Sequence, residues 1–318
     1  MVFPLITDYT TAIRNSATRF TTLELVPKVD ENGAPTFMAG NFAAVYRGTL
    51  KSHGQTVAVK CFIRDMPDLE KRYKAITAMI ARVKSPLFIN LKYLPNELFV
   101  HSTTAGNGNY PVLVMPWIEG RTLDKVIRDL STQKKQNGLA SLTRAWARLC
   151  LGVLSMGVAH GDLKPDNIMA APDAVLKLID YESFYVPALK GLPSLVLGGP
   201  HFQHPLRETK HFDTTIDHFS MLVITLSLRA LALSPGLYDR CNNGENILFT
   251  KSDFLAPRQS KLVNHLLASR DTLTREWTKR LIASLASKSI AVPGLDVMLK
   301  QAEKSTVETA QSPPVKKK

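Results

Sequence analysis

The sequence predicts an α+β chain of two lobes, a small antiparallel β lobe followed by a larger helical lobe. Two observations carry this. Between Thr36 and Trp117 the segments FMAGNFAAVYRGTL, TVAVKCFI, ELFVHS and YPVLVMPW are rich in Val, Phe and Tyr and are bounded by turn chemistry such as SHG and AGNGN. After Trp117 the apolar residues recur at helical spacing instead. The expected divisions are an N-terminal extension over 1–34, a β lobe over 35–117, a helical lobe over 118–300 and a basic tail over 301–318 with the composition of a disordered segment.

The elements follow in order. A short helical pattern around Tyr9–Ser16 leads into a polar link, KVDENGAP. The strand run is interrupted by one helix, Asp68–Arg82, with Leu69, Tyr73, Ile76 and Ile80 on a common face. Beyond the join near Pro116–Gly120, Thr122–Leu130 opens on a capping-type residue. Ser141–Leu154 places Leu142, Trp146, Leu149 and Val153 on one side. Thr214–Leu233 is apolar nearly all round, as a central buried helix is, and Pro235 ends it. Two more helices are expected over Gln259–Ala268 and Thr272–Ala286.

The totals exclude several classes. With 318 residues, 45% of them apolar, the chain has the length and composition of a globular protein with a real core. Cys61, Cys150 and Cys241 are sparse, odd in number and far apart, so neither a disulfide framework nor a zinc spacing is present, and a reducing, cytoplasmic setting is expected. The start, MVFPLITDYTTAIRN, lacks a basic n-region. Met221–Leu233 is broken by Thr225, Ser227 and Arg229 and reads as a buried helix, so no membrane partner is expected. The net charge of +13 fits attraction to a phosphate-bearing ligand, and without interleaved aromatic and basic residues it does not point to nucleic acid.

The chemistry concentrates in AHGDLKPDNIMA, residues 159–170. Phosphoryl transfer from a nucleotide needs a carboxylate to take the attacking hydroxyl's proton, hard oxygen ligands for a divalent metal, and a lysine and a side-chain-poor loop to steady the phosphates. Asp162 is a candidate base and Asn167 a candidate metal ligand. Asp180, in LKLIDYESF, follows a short apolar strand; Lys60 ends the strand TVAVK; and GNFAAVY joins two strands through small residues. Taken singly, Asp162 and Asn167 read first as loop-capping groups and Lys60 as a strand-end surface lysine; in register with Lys164 and Asp180 the order reverses.

Together these motifs resemble the protein kinase-like superfamily from about Phe37 to Leu233. HGDLKPDN resembles the catalytic loop HRDxKxxN, VAVK the strand of the phosphate-positioning lysine, and IDYE the metal-binding DFG. GGPHFQHPLR resembles the end of an activation segment, DHFSMLV the buried helix DxWSLGV, and VMPWIEGRTL a hinge. The resemblance implies a serine/threonine-type protein kinase using ATP and Mg²⁺ on a protein substrate. Asp162 would be the catalytic base and Lys164 would contact the transferred phosphate. Asn167 and Asp180 would hold magnesium, and Lys60 the non-reacting phosphates. Gly40, Ala43, Val45, Ala58, Met115, Pro116, Trp117 and Ile118 would complete the nucleotide site. Asp217 would anchor the catalytic loop from below, and His160 would bond to backbone near Asp180.

The departures from the pattern are specific. Of three loop glycines only Gly40 remains, with Met38 and Ala43 at the other places. Gly161 replaces the arginine of HRD, which in the family pairs with an activation-segment phosphate, so no such phosphate should be needed. The acidic partner of Lys60 is open, with Glu70 the candidate, or missing. Tyr181-Glu182 replaces Phe-Gly, Leu206 replaces the glutamate of APE, and Gly199 replaces a threonine that bridges the base and Lys164. Two other readings follow from these differences: a nucleotide-binding pseudokinase or scaffold, and a small-molecule kinase of the aminoglycoside or choline type. His201, His204, His211 and His218 have spacings that suit no helix or ribbon metal site. Cys61 should face the opposite side of its strand from Lys60.

Overall fold

The computed structural model describes residues 2–173 and 175–305, which divide into two compact units, Met1–Glu119 and Gly120–Lys318. In the first unit, strands β1 (Leu25–Pro27), β2 (Phe37–Ala39), β3 (Ala43–Leu50), β4 (Thr56–Phe62), β5 (Lys92–Val100) and β6 (Gly108–Pro116) form one antiparallel sheet. Its order is β1-β3-β4-β6-β5, with β2 also on β3. Residues opposite one another in an antiparallel pair share a face. The pairs Val45↔Lys60, Arg47↔Ala58, Ala58↔Met115 and Lys60↔Leu113 therefore line one side. Tyr46↔Val59 and Ala44↔Cys61 line the other, which is fully buried. Cys61 is core, as its strand parity requires, and burial pushes its thiol up.

The first 34 residues are part of this unit. Helix α1 (Ile6–Arg14) lies on the Tyr46 side: Tyr9 Oη donates to Phe62 O at 2.8 Å, and Tyr46 Oη donates to Ile6 O at 3.2 Å. A one-turn helix α2 (Ser16–Arg19) follows, so the helical pattern around Tyr9–Ser16 is two pieces, divided at Asn15. The next residues are held by buried Glu97, whose carboxylate accepts Thr22 N at 2.7 Å, Leu23 N at 2.8 Å and Thr22 Oγ1 at 2.8 Å. Glu97 sits at an irregularity in β5 between Leu94 and Leu98. That bulge accommodates Pro95, so β5 begins five residues before the ELFVHS run. Helix α3 (Leu69–Val83) packs Tyr73 against Phe62 and Tyr93, with ring centroids 5.4 and 5.8 Å apart.

In the second unit, β7 (Arg121–Thr122), β8 (Ile168–Ala170) and β9 (Leu176–Leu178) form a small sheet in that order. Around it stand α4 (Leu123–Thr132), α5 (Gln136–Ser155), α6 (His218–Leu233), α7 (Leu237–Cys241), α8 (Lys251–Leu255), α9 (Lys261–Leu267), α10 (Thr272–Ala286) and α11 (Leu295–Lys304). Every residue of α6 from Phe219 to Ala232 is buried, and its hydroxyls bond inward, Thr225 to Met221 O and Ser227 to Val223 O. The helix starts four residues later than its apolar texture suggests, because Asp213 closes a turn on Thr215 N and Oγ1 at 2.7 and 2.6 Å. Helix α5 starts five residues earlier than expected. Helix α11 takes in residues 301–304 of the expected tail, with Leu295, Met298, Leu299 and Ala302 on its buried face; residues 306–318 lie outside the described residues. Among the described residues no helix is long and apolar enough to cross a membrane.

A part-buried ion pair joins α6 to the start of α10. Arg229 Nε and Nη2 donate to both Asp271 oxygens at 2.7 and 2.5 Å, and the guanidinium lies 5.5 Å from the Trp277 ring centre. Asp271 also caps α10, accepting Thr274 N at 2.8 Å. Burial raises the Asp271 carboxyl, but the Arg229 and Thr274 hydrogen bonds outweigh it and hold the group down at about 2. Its folded value thus lies below its unfolded one. The extra stability is present above about pH 4 and is lost as pH falls through about 2. In denaturant titrations Asp271→Asn should be about 2 kcal/mol less stable than wild type at pH 7, a gap that closes toward pH 2.

Candidate active site

The loop after α5 is shaped by two buried side chains and one glycine. Asp217, just before α6, is wholly buried and accepts the backbone N–H of His160 and, at 2.9 Å, that of Gly161. His160, also wholly buried, reaches the other way, with Nε2 2.7 Å from Ile179 O beside Asp180. Gly161 has φ +82°, and a Cβ there would run into Ser183 O and come within 2.8 Å of Ser183 Cβ. The left-handed turn and the close approach each require glycine.

This turn presents Asp162 to a ring of partners. Asn167 Nδ2 donates to Asp162 O at 2.9 Å and to Oδ2 at 3.1 Å. Lys164 Nζ is 3.7 Å from Oδ2, and Gly199 N donates to Oδ1 at 3.0 Å. Asn167 ends a 3₁₀ turn over Pro165–Asn167 and leads into β8, where its carbonyl accepts Ile179 N at 2.9 Å. Asp180 is the next residue, with φ +67°. Asn167 and Asp180 therefore stand together at one end of the β8–β9 pair. Because the Asn167 amide nitrogen is spent on Asp162, its oxygen is turned away from that carboxylate. An amide oxygen and a carboxylate are hard donors of the kind Mg²⁺ takes, so these two residue types fit that ion.

The segment after Asp180 is packed tightly. Residues 181–186 are buried, Tyr185 exchanges backbone hydrogen bonds with Ala159 at 2.8 and 3.2 Å, and the Tyr181 and Phe184 rings lie 6.3 and 6.1 Å from His160. Farther along, buried Arg207 donates to Gln203 Oε1 (2.9 Å), Ile216 O (3.1 Å) and Ser194 Oγ (3.2 Å). Burial pushes the guanidinium's pKa down, against the pull of Asp217, Asp162 and Asp213. Leu206 is exposed, and its neighbour Arg207 braces the segment through hydrogen bonds instead of an ion pair at 206. Sequence reasoning missed Arg207, Gln203 and Ser194; the only signal was an arginine following an apolar residue.

In the first unit, Lys60 is 5% exposed on the face that also carries Val45, Ala58 and Met115. Gly40 N donates to Ala43 O at 2.9 Å, closing the β2–β3 turn. The Met38 side chain is exposed on β2. Trp117 N donates to Thr56 O at 3.0 Å and Pro116 has no N–H, so in Pro116–Ile118 the donor left for a ligand is Ile118 N. The Trp117 ring lies 4.8 Å from the Arg47 guanidinium, which also pairs with Glu119 at 2.8 Å. Glu70 is not the partner of Lys60: it is 54% exposed and its carboxylate bonds Lys74 Nζ at 2.6 Å, one turn along α3. It stands in the first turn of the helix with its side chain exposed.

The four histidines are engaged with backbone. His201 Nδ1 accepts Lys251 N, His204 lies 3.1 Å from Ser284 O, His211 Nδ1 accepts Glu208 N and His218 Nδ1 accepts Val292 N. Burial holds the pKa values of His204 and His218 below the ordinary imidazole value.

A family model described as "protein kinase domain" matches residues 38–287. The chain belongs to the protein kinase family. Among its curated relatives, a probable serine/threonine-protein kinase PknB from Bifidobacterium longum is 30% identical over 152 residues, 45% of this chain and 21% of the relative. Calcium-dependent protein kinase 24 of Oryza sativa is 29% identical over 260 residues, 77% of this chain and 47% of the relative. Cyclin-dependent kinase F-1 of the same plant is 30% identical over 146 residues, 45% and 28%. The chain spans less than half the length of each.

Within this protein kinase, the family arginine cannot be restored at 161. Gly161→Arg should lower the thermal midpoint sharply and leave little folded protein, measured by calorimetry, because the turn and Ser183 both exclude a side chain.

Proposed function

We propose that the chain transfers the γ-phosphoryl group of ATP to a protein hydroxyl, as a serine/threonine-type kinase. The observation that supports this is the convergence of Asn167, Lys164 and Gly199 on the Asp162 carboxylate. The substrate hydroxyl oxygen attacks the γ-phosphorus, the bond to the β,γ-bridging oxygen breaks, and the hydroxyl proton passes to Asp162. Lys164 steadies the moving phosphoryl oxygens. Asn167 and Asp180 would hold Mg²⁺, which would supply positive charge to neutralise the triphosphate. Lys60 steadies the non-reacting phosphates, the small side chains of Ala43 and Ala58 leave room for the nucleotide beside Val45 and Met115, and Pro116 O and Ile118 N face the base.

A protein acceptor is favoured over a small molecule by the segment between Asp180 and Asp217, which contains GGPHFQHP. Its activity should not wait on a phosphate. The only hydroxyls between residues 181 and 205 are Tyr181, Ser183, Tyr185 and Ser194, and all four are buried. Arg207, Gln203 and Ser194 already brace the segment from within.

With labelled ATP and generic protein substrates, Asp162→Asn should lower transfer about 10²–10⁴-fold. It should keep the thermal stabilisation that ATP with Mg²⁺ confers on wild type. Binding without transfer in wild type would instead support the scaffold reading, and label appearing only in sugars or amino alcohols the small-molecule one. Phosphatase treatment should leave the rate unchanged; activity that appears only after phosphate enters residues 181–205 would count against phosphate independence.

A further inference from the structure

We infer that Gly198 and Gly199 form a backbone clamp that aims the Asp162 carboxylate, a positioning function carried by main chain. The inference rests on Asp162 being the proton acceptor. A carboxylate rotates easily about its last torsion, so partners on one oxygen alone leave its plane loose. Asn167 and Lys164 both address Oδ2. The contact on Oδ1 is the Gly199 N–H at 3.0 Å. The Asn167 and Gly199 hydrogen bonds, one on each oxygen, fix the plane and occupy two of roughly four acceptor positions, leaving a lone pair for the incoming hydroxyl.

Gly198 makes this approach possible. Its φ is +79°, and a Cβ there would stand 2.9 Å from Asp162 Oδ1 and 2.6 Å from Gln203 Nε2. Gln203 cannot yield freely, because its amide is held between Arg207 Nη1 and Ser220 Oγ, and Ser220 in turn bonds Phe202 O at 2.8 Å. A side chain at 198 would therefore push the Gly199 N–H off the carboxylate. At Gly199 itself a Cβ would meet only Phe202 at 3.5 Å and Lys164 at 3.8 Å, so what matters there is the N–H.

Gly191 provides a matched control. It lies earlier in the same segment, also has a left-handed φ, +91°, and has nothing within 4 Å of its Cβ position. Gly191→Ala thus carries the backbone strain of a glycine replacement without the clash. Phosphoryl transfer to a generic protein substrate should show kcat for Gly198→Ala reduced between about tenfold and 10²-fold, with KM for ATP within about twofold of wild type. Gly199→Pro, which deletes the N–H, should lose kcat in the same way, whereas Gly191→Ala should keep it. The unchanged KM for ATP, together with thermal stabilisation by ATP, establishes that the slow variants are folded. Wild-type kcat in Gly198→Ala or Gly199→Pro, alongside an inactive Asp162→Asn, would overturn the clamp; equal losses in Gly198→Ala and Gly191→Ala would do the same by assigning the effect to strain. An active Asp162→Asn would overturn the role of Asp162 on which the clamp depends.

Discussion

The second unit is organised around one wholly buried carboxylate. Asp217 accepts the adjacent N–H groups of His160 and Gly161 in the loop after α5. A buried donor without a partner costs about 1–3 kcal/mol, so satisfying two with one side chain fixes the loop strongly. Because the His160 and Gly161 amides are held from below, the His160 ring can turn to Ile179 and the chain can reverse at Gly161. Asp162 is then lifted to meet Asn167, Lys164 and Gly199. Asp180 takes its place from the same chain of contacts, through Ile179 and the β8–β9 pair.

Packing follows from this anchor. Asp217 adjoins α6, and α6 is buried along its length, so the loop rests on the core of the unit. On the other side, Ala159 pairs with Tyr185, which ties the loop to the segment that follows Asp180. That segment carries large buried aromatics, and its hydroxyls are buried with them. Order here comes from burial and internal hydrogen bonds, with Arg207 as the central donor.

Much of this was legible in the sequence because the residues that carry chemistry are short-range. His160, Asp162, Lys164 and Asn167 occupy one stretch, and their spacing survives folding unchanged. The alternation in TVAVK correctly put Lys60 and Cys61 on opposite faces. Other features depend on contacts that the one-dimensional pattern does not contain. Glu70 was a candidate by proximity in sequence, yet its position on α3 turns it outward toward Lys74. The N–H of Gly199 has no side-chain signature at all, so a missing threonine was visible but its backbone substitute was not. Bulges defeat local rules in the same way: Pro95 reads as a breaker until Glu97 and its three donors are seen to occupy the irregular stretch.

The physical first unit and the family's first unit do not begin at the same residue. The family match starts at residue 38, but Tyr9, Ile13 and the strand at Leu25 already belong to the fold, and the buried Glu97 carboxylate accepts hydrogen bonds from Thr22 and Leu23. A polypeptide begun at the family boundary would uncover Tyr46, Val59 and Cys61 as a bare greasy surface and strand the Glu97 carboxylate with no donors. Trimming the chain to residues 38–287 would thus expose apolar surface of the kind that drives self-association.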